Sequence, residues 1–282
     1  MTRKMVLYTC VICLALALPV LAATYEFKTI NPFSSVDTSA RGINDAGDVV
    51  GDFATVDDGQ VVGGGAIEHG FLRHQGKYTQ LDFPGSFDTD ANGIAENGVI
   101  VGTYAAKLLD GSRGADHGYV LDKHGYHALP DPPTGFQEPD FNAVNEEGDV
   151  VGGMKPTLVA TGNRGFLLDD GHYVTIDCGH DQTEANGIND DGDIVGECTD
   201  FISTNTEHGF LLRNGKFYLI DAPGAVCGGT IANGISESGD IVGIFGDANC
   251  IEHGFVLKNF PKKPTWKVVE RAQSTSPNFT LS

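Results

Sequence analysis

Residues 187–200 read GINDDGDIVGECTD. Asp190, Asp191 and Asp193 in this run pose two alternatives: an acidic loop that grips a cation, or a turn that needs these residues for its geometry. Ile188, Ile194 and Val195 on the flanks are strand formers, and the polar stretch between them is short. Asn189-Asp190-Asp191-Gly192 fits a type I turn followed by a glycine in the left-handed region, the pattern of a three-residue hairpin loop. An EF-hand would need a longer ligand series and a distal bidentate glutamate. The turn is therefore the reading adopted, with Asn189 bonding its own loop.

The stretch recurs five times. Gly42-Ile43-Asn44, Gly93-Ile94-Ala95, Ala143-Val144-Asn145, Gly187-Ile188-Asn189 and Gly234-Ile235-Ser236 follow one another at steps of 51, 50, 44 and 47 residues. Each is followed by a Val-Val-Gly or Ile-Val-Gly, ending at Gly51, Gly102, Gly152, Gly196 and Gly243. Then come His69-Gly70-Phe71, His117-Gly118-Tyr119, Arg164-Gly165-Phe166, His208-Gly209-Phe210 and His253-Gly254-Phe255. A fourth run closes the first four units: Tyr78 to Phe83, Tyr126 to Leu129, Tyr173 to Asp177 and Phe217 to Asp221. Asn214-Gly215 and Asp170-Gly171 are two-residue hairpin signals between the third and fourth runs. No segment sustains a helical period. Four short antiparallel strands per repeat predict an all-β fold, a five-bladed β-propeller with four strands per blade over residues 24–257. Tyr25 to Ile30 match a fourth strand, so the N-terminal strand is expected to close the ring by completing the fifth blade; Trp266 to Val269 compete for that place or add a strand outside it. Ala40, Gly42, Ala91, Gly93, Ala185, Gly187, Ala232 and Gly234 supply the small residues that a narrow ring demands of its innermost strands.

Arg3 and Lys4 precede an apolar run from Met5 to Leu18 and then Pro19 to Ala23, which reads as a secretory signal peptide over residues 1–23 rather than a membrane span. Its removal takes the net charge from −20 to −22. So acidic a chain repels nucleic acid and anionic membranes, and both are excluded as partners. Cys178, Cys198, Cys227 and Cys250 remain, an even number in an exported chain. The loop entering the first strand and the loop leaving the second share a face, so Cys178–Cys198 and Cys227–Cys250 are the expected disulfides. Residues 258–282, with Lys258, Lys262, Lys263 and Lys267, are expected to form a partly disordered tail.

With these motifs in view, the chain resembles the HAF-type extracellular repeat proteins of bacteria, whose units carry Gly-Ile-Asn, Gly-x-Val-Val-Gly and His-Ala-Phe or His-Gly-Phe. The resemblance spans residues 25–257. Ala95 replaces the asparagine in unit two, Arg164 the histidine and Ala143 the first glycine in unit three, and Ser236 the asparagine in unit five. It implies export and a propeller, and it carries over no catalytic residues.

For chemistry, His69, His117, His208 and His253 occupy equivalent places around the ring, too far apart to converge, and are read as structural. The first strands are the better site. Asp37, Asp88 and Glu138 form one tier, Asp90, Asp140 and Glu184 a second, and Arg41, Asn92, Asn142, Asn186 and Asn233 a third. If the axis passes by these loops, a carboxylate mouth lies over an amide tier, suited to Ca²⁺ or a hydroxyl-rich ligand; the bland alternative is a solvated acidic rim with asparagines capping strands. No other cofactor is indicated, and neither a Ser-His-Asp signature, a phosphate loop nor a zinc spacing is present. The leading expectation is a secreted, monomeric, non-enzymatic binding or scaffold module for carbohydrate, a cation or another extracellular protein. The alternative is a glycoside hydrolase-like enzyme using Asp88, Glu138 and Glu184.

Overall fold

Each turn forms as its residues require. In unit four, Gly192 N–H donates to the Asn189 carbonyl at 3.0 Å, Asp193 N–H donates to Asn189 Oδ1 at 3.0 Å, and Gly192 takes φ +73°. Gly47, Gly98, Gly148 and Gly239 close their turns in the same way. At Asn214-Gly215 and Asp170-Gly171 both residues have positive φ, the primed turn whose twist matches the flanking strands.

The computed structural model describes residues 28–54, 67–158, 162–200, 206–258 and 271–272. They form five antiparallel sheets. The first holds β1 (Asp37–Ile43), β2 (Val49–Ala54), β3 (Glu68–His74) and β4 (Lys77–Leu81). The second holds β5 (Ser86–Ile94), β6 (Ile100–Lys107), β7 (Arg113–Asp122) and β8 (Gly125–Ala128). The third holds β9 (Phe136–Val144), β10 (Val150–Pro156), β11 (Arg164–Asp169) and β12 (His172–Ile176). The fourth holds β13 (Gln182–Ile188), β14 (Ile194–Asp200), β15 (Thr206–Arg213) and β16 (Lys216–Ile220), and the fifth β17 (Thr230–Ile235), β18 (Ile241–Gly246) and β19 (Glu252–Leu257). Within each sheet these strands lie side by side in chain order, and β5, β9, β13 and β17 pack against the preceding sheet. From residue 31 onward the described residues thus form an all-β, five-bladed propeller.

Among the described residues the fifth sheet has three strands. Of the stretch expected to complete it, residues 25–27 lie outside the described residues and 28–30 form no strand. Trp266 to Val269 also lie outside them. The C-terminal tail contributes a short β20 (Arg271–Ala272), paired with β16 at the edge of the fourth sheet. The chain divides into residues 1–30 and 31–282, and the proposed leader lies wholly outside the described residues.

The motif residues explain one another. In every innermost strand the pairing skips one residue: Arg41, Asn92, Asn142, Asn186 or Asn233. Such a bulge re-aims the extra side chain. Asn92 Nδ2 donates to the Phe141 carbonyl at 3.0 Å, Asn142 to that of Ala185 at 3.0 Å, and Asn186 to that of Ala232 at 3.2 Å, so each bulge reaches into the next blade. The turns repeat the gesture: Asn145 Nδ2 donates to the Asn189 carbonyl and Asn189 Nδ2 to that of Ser236.

Cores lie between successive blades. Val151, Ile176, Ala185, Ile194 and Phe210 make one, and Val101, Phe141, Val150 and Phe166 another. The series frays at its ends. Val50, Val101, Val151 and Val195 are fully buried, whereas their counterpart Val242 is 46 % exposed. Ile43 in β1 is 70 % exposed and Val256 in β19 60 %.

Both expected disulfides are present, Cys178–Cys198 and Cys227–Cys250. Among the described residues no helix is long and apolar enough to cross a membrane.

Candidate functional site

The repeated histidines hold their own blades together. His69, His117 and His208 place Nδ1 at 2.7, 2.7 and 2.6 Å from Asp82, Asp131 and Asp221, the carboxylate that follows strand four of each unit. In unit three Arg164 lies 3.9 Å from the equivalent Asp177. His253 turns instead to Asp247, 3.1 Å away. The Asp221 hydrogen bond raises the His208 pKa.

The expected carboxylate tiers separate. Asp37 is exposed and accepts from the Thr38 N–H. Glu138 is exposed and pairs with Lys155 at 3.0 Å. Asp88 accepts from the Ala105 N–H and from Arg113 Nε, which also fixes it in place. None of these three joins a cluster. In the second tier Asp90 and Glu184 turn inward, whereas Asp140 is exposed, and Asp90 meets residues outside the expected tiers.

Those residues sit just after each Val-Val-Gly and just before each His-Gly-Phe. The first position pairs across the sheet with the second tier: Thr103 with Asp90, Gly153 with Asp140, Glu197 with Glu184. Its counterparts in β2 and β3, Asp52 and Glu68, reach the next blade. One carboxylate oxygen from each of Asp52, Glu68 and Asp90 lies within 4.8 Å of the others. Two ligands of one Ca²⁺, each about 2.4 Å from the ion, can be about this far apart. Arg41 pairs with Asp52 through Nε, leaving the asparagine-type contact its neighbours make.

The equivalent place one pair of blades from the end shows what is unusual here. Between the third and fourth blades, Glu184 accepts from Asn142 Nδ2 at 3.1 Å and from Asn163 Nδ2 at 3.0 Å. Gly153 leaves room for its carboxylate, which a Cβ there would strike. Between the first and second blades, Arg41 stands for Asn142, Glu68 for Asn163 and Asp52 for Gly153. Two amide donors have become an acceptor and a diverted guanidinium. Consequently Asp90 Oδ1 is buried and accepts no hydrogen bond from the described residues. Burial, then the Glu68 and Asp52 charges, push the Asp90 pKa up to about 7, with Arg41 opposing. Glu68 is also raised, first by burial and then by Asp52. A buried carboxylate among carboxylates needs a proton or a cation.

The other sites are variants of this one. Asp140, exposed as a residue, is raised by partial desolvation of its carboxyl and by Asp116 and Glu138, with Arg41 opposing, so the Arg41 charge is felt by both Asp90 and Asp140. Asn233 is exposed at the end of the bulge series. Between the fourth and fifth blades, burial followed by the Glu207 and Glu184 charges raises Glu197 to about 7. Its partner position is Ile231, which offers no donor.

Glu197 sets a pH test. A carboxyl whose folded pKa exceeds its unfolded value binds its proton more tightly when folded, so its contribution is fully present below about pH 4.5 and is lost as the pH rises to about 7. Thermal melts at steps across that window are expected to show a falling Tm, and Glu197→Gln to flatten the fall. An unchanged slope in the variant refutes the assignment.

No protein-family model matches the chain, and no curated protein matches it. Among solved structures the chain is similar to an acylaminoacyl peptidase in complex with Z-Gly-Gly-Phe-chloromethyl ketone, at 11 % identity and a TM-score of 0.40 over 84 % of its length. The match spans 44 % of that protein's chain.

Proposed function

We propose that this protein is an exported, non-enzymatic binding module of the HAF-type repeat class, and that it holds a divalent cation between its first and second blades. The observation that carries this reading is the buried Asp90 Oδ1, left without a donor beside Asp52 and Glu68 where the equivalent Glu184 has two amides. Hard oxygen ligands at this spacing suit Ca²⁺, with water completing the shell. Arg41 beside Asp52 lowers the affinity, which puts the dissociation constant at about 10⁻⁴–10⁻³ M, the range of extracellular Ca²⁺ modules. The two disulfides and the absence of a membrane-spanning helix among the described residues are compatible with a soluble exported protein.

Isothermal titration calorimetry with Ca²⁺ is expected to give a saturable heat, together with a rise in Tm. No heat and no shift at about 10 mM Ca²⁺ removes the reading.

The carboxylate spacing also favours a second reading, a glycoside hydrolase-like acid–base pair in which protonated Asp90 serves as the acid. Chromogenic glycosides hydrolysed by the wild type but not by Asp90→Asn, with EDTA present throughout, would establish it instead.

A further inference from the structure

Among the described residues the second blade has the longest second and third strands. Its β6 and β7 run 8 and 10 residues, against 6 and 7 for β2 and β3 in the first blade. The extension carries Lys107 and Asp110 over the start of β5, where they form one side of an open cavity of about 620 Å³ between the first two blades. Phe83, Phe87, His69 and Asp82 line the rest of it. None of the three clustered carboxylates does, so this is a separate place.

Its chemistry is mixed in a particular way. Phe83 stacks on Tyr104 with ring centroids 3.8 Å apart and planes 6° from parallel, which holds this apolar lining residue in place. Asp82 is an acceptor locked in position by His69 at 2.7 Å and Gln80 at 2.8 Å. Asp110 is held by the Ser112 hydroxyl and N–H. Lys107 forms no ion pair among the described residues and brings three donors. A flat ring face flanked by oriented acceptors and an ammonium suits a ligand that has an apolar face and a hydroxylated edge. The volume falls within the range of small-molecule sites. A formal net charge of −20 works against an anionic ligand.

We propose that this cavity binds a neutral saccharide, with its ring against Phe83 and Phe87 and its hydroxyls on Asp82, Asp110 and Lys107. The site stands apart from the cation reading, and EDTA keeps the two distinguishable. Saturation-transfer NMR on the full chain, in EDTA, with maltotriose, cellotriose, chitotriose and trigalacturonate tests it. At least one neutral trisaccharide is expected to show saturable transfer, weakened about tenfold by Phe87→Ala and by the surface change Lys107→Ala. Three results overturn the proposal: no transfer from any neutral trisaccharide at about 10 mM, transfer from trigalacturonate alone, or unchanged affinity in the folded Lys107→Ala variant.

Discussion

Gly196→Ala will cost about 3 kcal/mol or more, and it will do so without touching a turn. The added Cβ would collide with the Glu184 carbonyl on the neighbouring strand and come within 2.8 Å of the Phe210 ring. Both obstacles are rigid. The Glu184 carbonyl is drawn in by the bulge at Asn186, and Phe210 is fully buried between blades. Gly51, Gly102, Gly152 and Gly243 are hemmed in likewise by the Ser39, Asp90, Asp140 and Ile231 carbonyls. The glycine of Val-Val-Gly, the bulged residue and the aromatic of His-Gly-Phe are therefore one steric unit. Gly192→Ala is the control: nothing lies within 4 Å of its Cβ, so it pays only the strain of a positive φ, about 1 kcal/mol. Urea titration of both variants decides. Equal losses would show that the close approach is not what demands the glycine.

Asp90→Asn will stabilise the metal-free protein at pH 8 by about 1–2 kcal/mol and abolish the Ca²⁺-dependent rise in Tm. Replacing a polar residue in a half-buried cleft ordinarily destabilises. Here the native side chain is the odd one out, since an amide could donate to Glu68 and Asp52 as Asn142 and Asn163 donate to Glu184. At pH 5 the advantage shrinks, because Asp90, raised to about 7, is then protonated in the folded state. A variant less stable than wild type at pH 8 that still responds to Ca²⁺ would sink both the electrostatic account and the cation site.

The fold could be read from local rules because each rule acts within one unit. Asn189 and Gly192 dictate their turn whatever surrounds them, and Asn214-Gly215 dictates the next. The two disulfides followed from placing two loops on one face. The candidate site was legible only in part. Asp90 could be singled out, with Asp140, Glu184 and the amide tier, because these positions repeat in the first strand of successive units. Asp52 and Glu68 were passed over because they come from the second and third strands of one blade and act on the first strand of the next. Which side of a strand faces the neighbouring blade is set by packing between units, and that information is not local. A signal did exist: the residue after each Val-Val-Gly lies opposite the second tier. Asp88 and Glu138 stand apart from the second tier because alternation along a strand does not survive the register shift between Ser86 and Asp88 or the positive φ of 48° at Glu138, and Asp37 lies exposed at the start of β1.

The asparagine contacts described above all point one way, from each blade to its successor. The series is therefore directional, and among the described residues none of these contacts runs from the fifth blade to β1. Cooperativity in such an array decays towards its extremities. Ile43, Val242 and Val256 mark those extremities, and backbone opening will begin there and travel inward, reaching the third and fourth blades last.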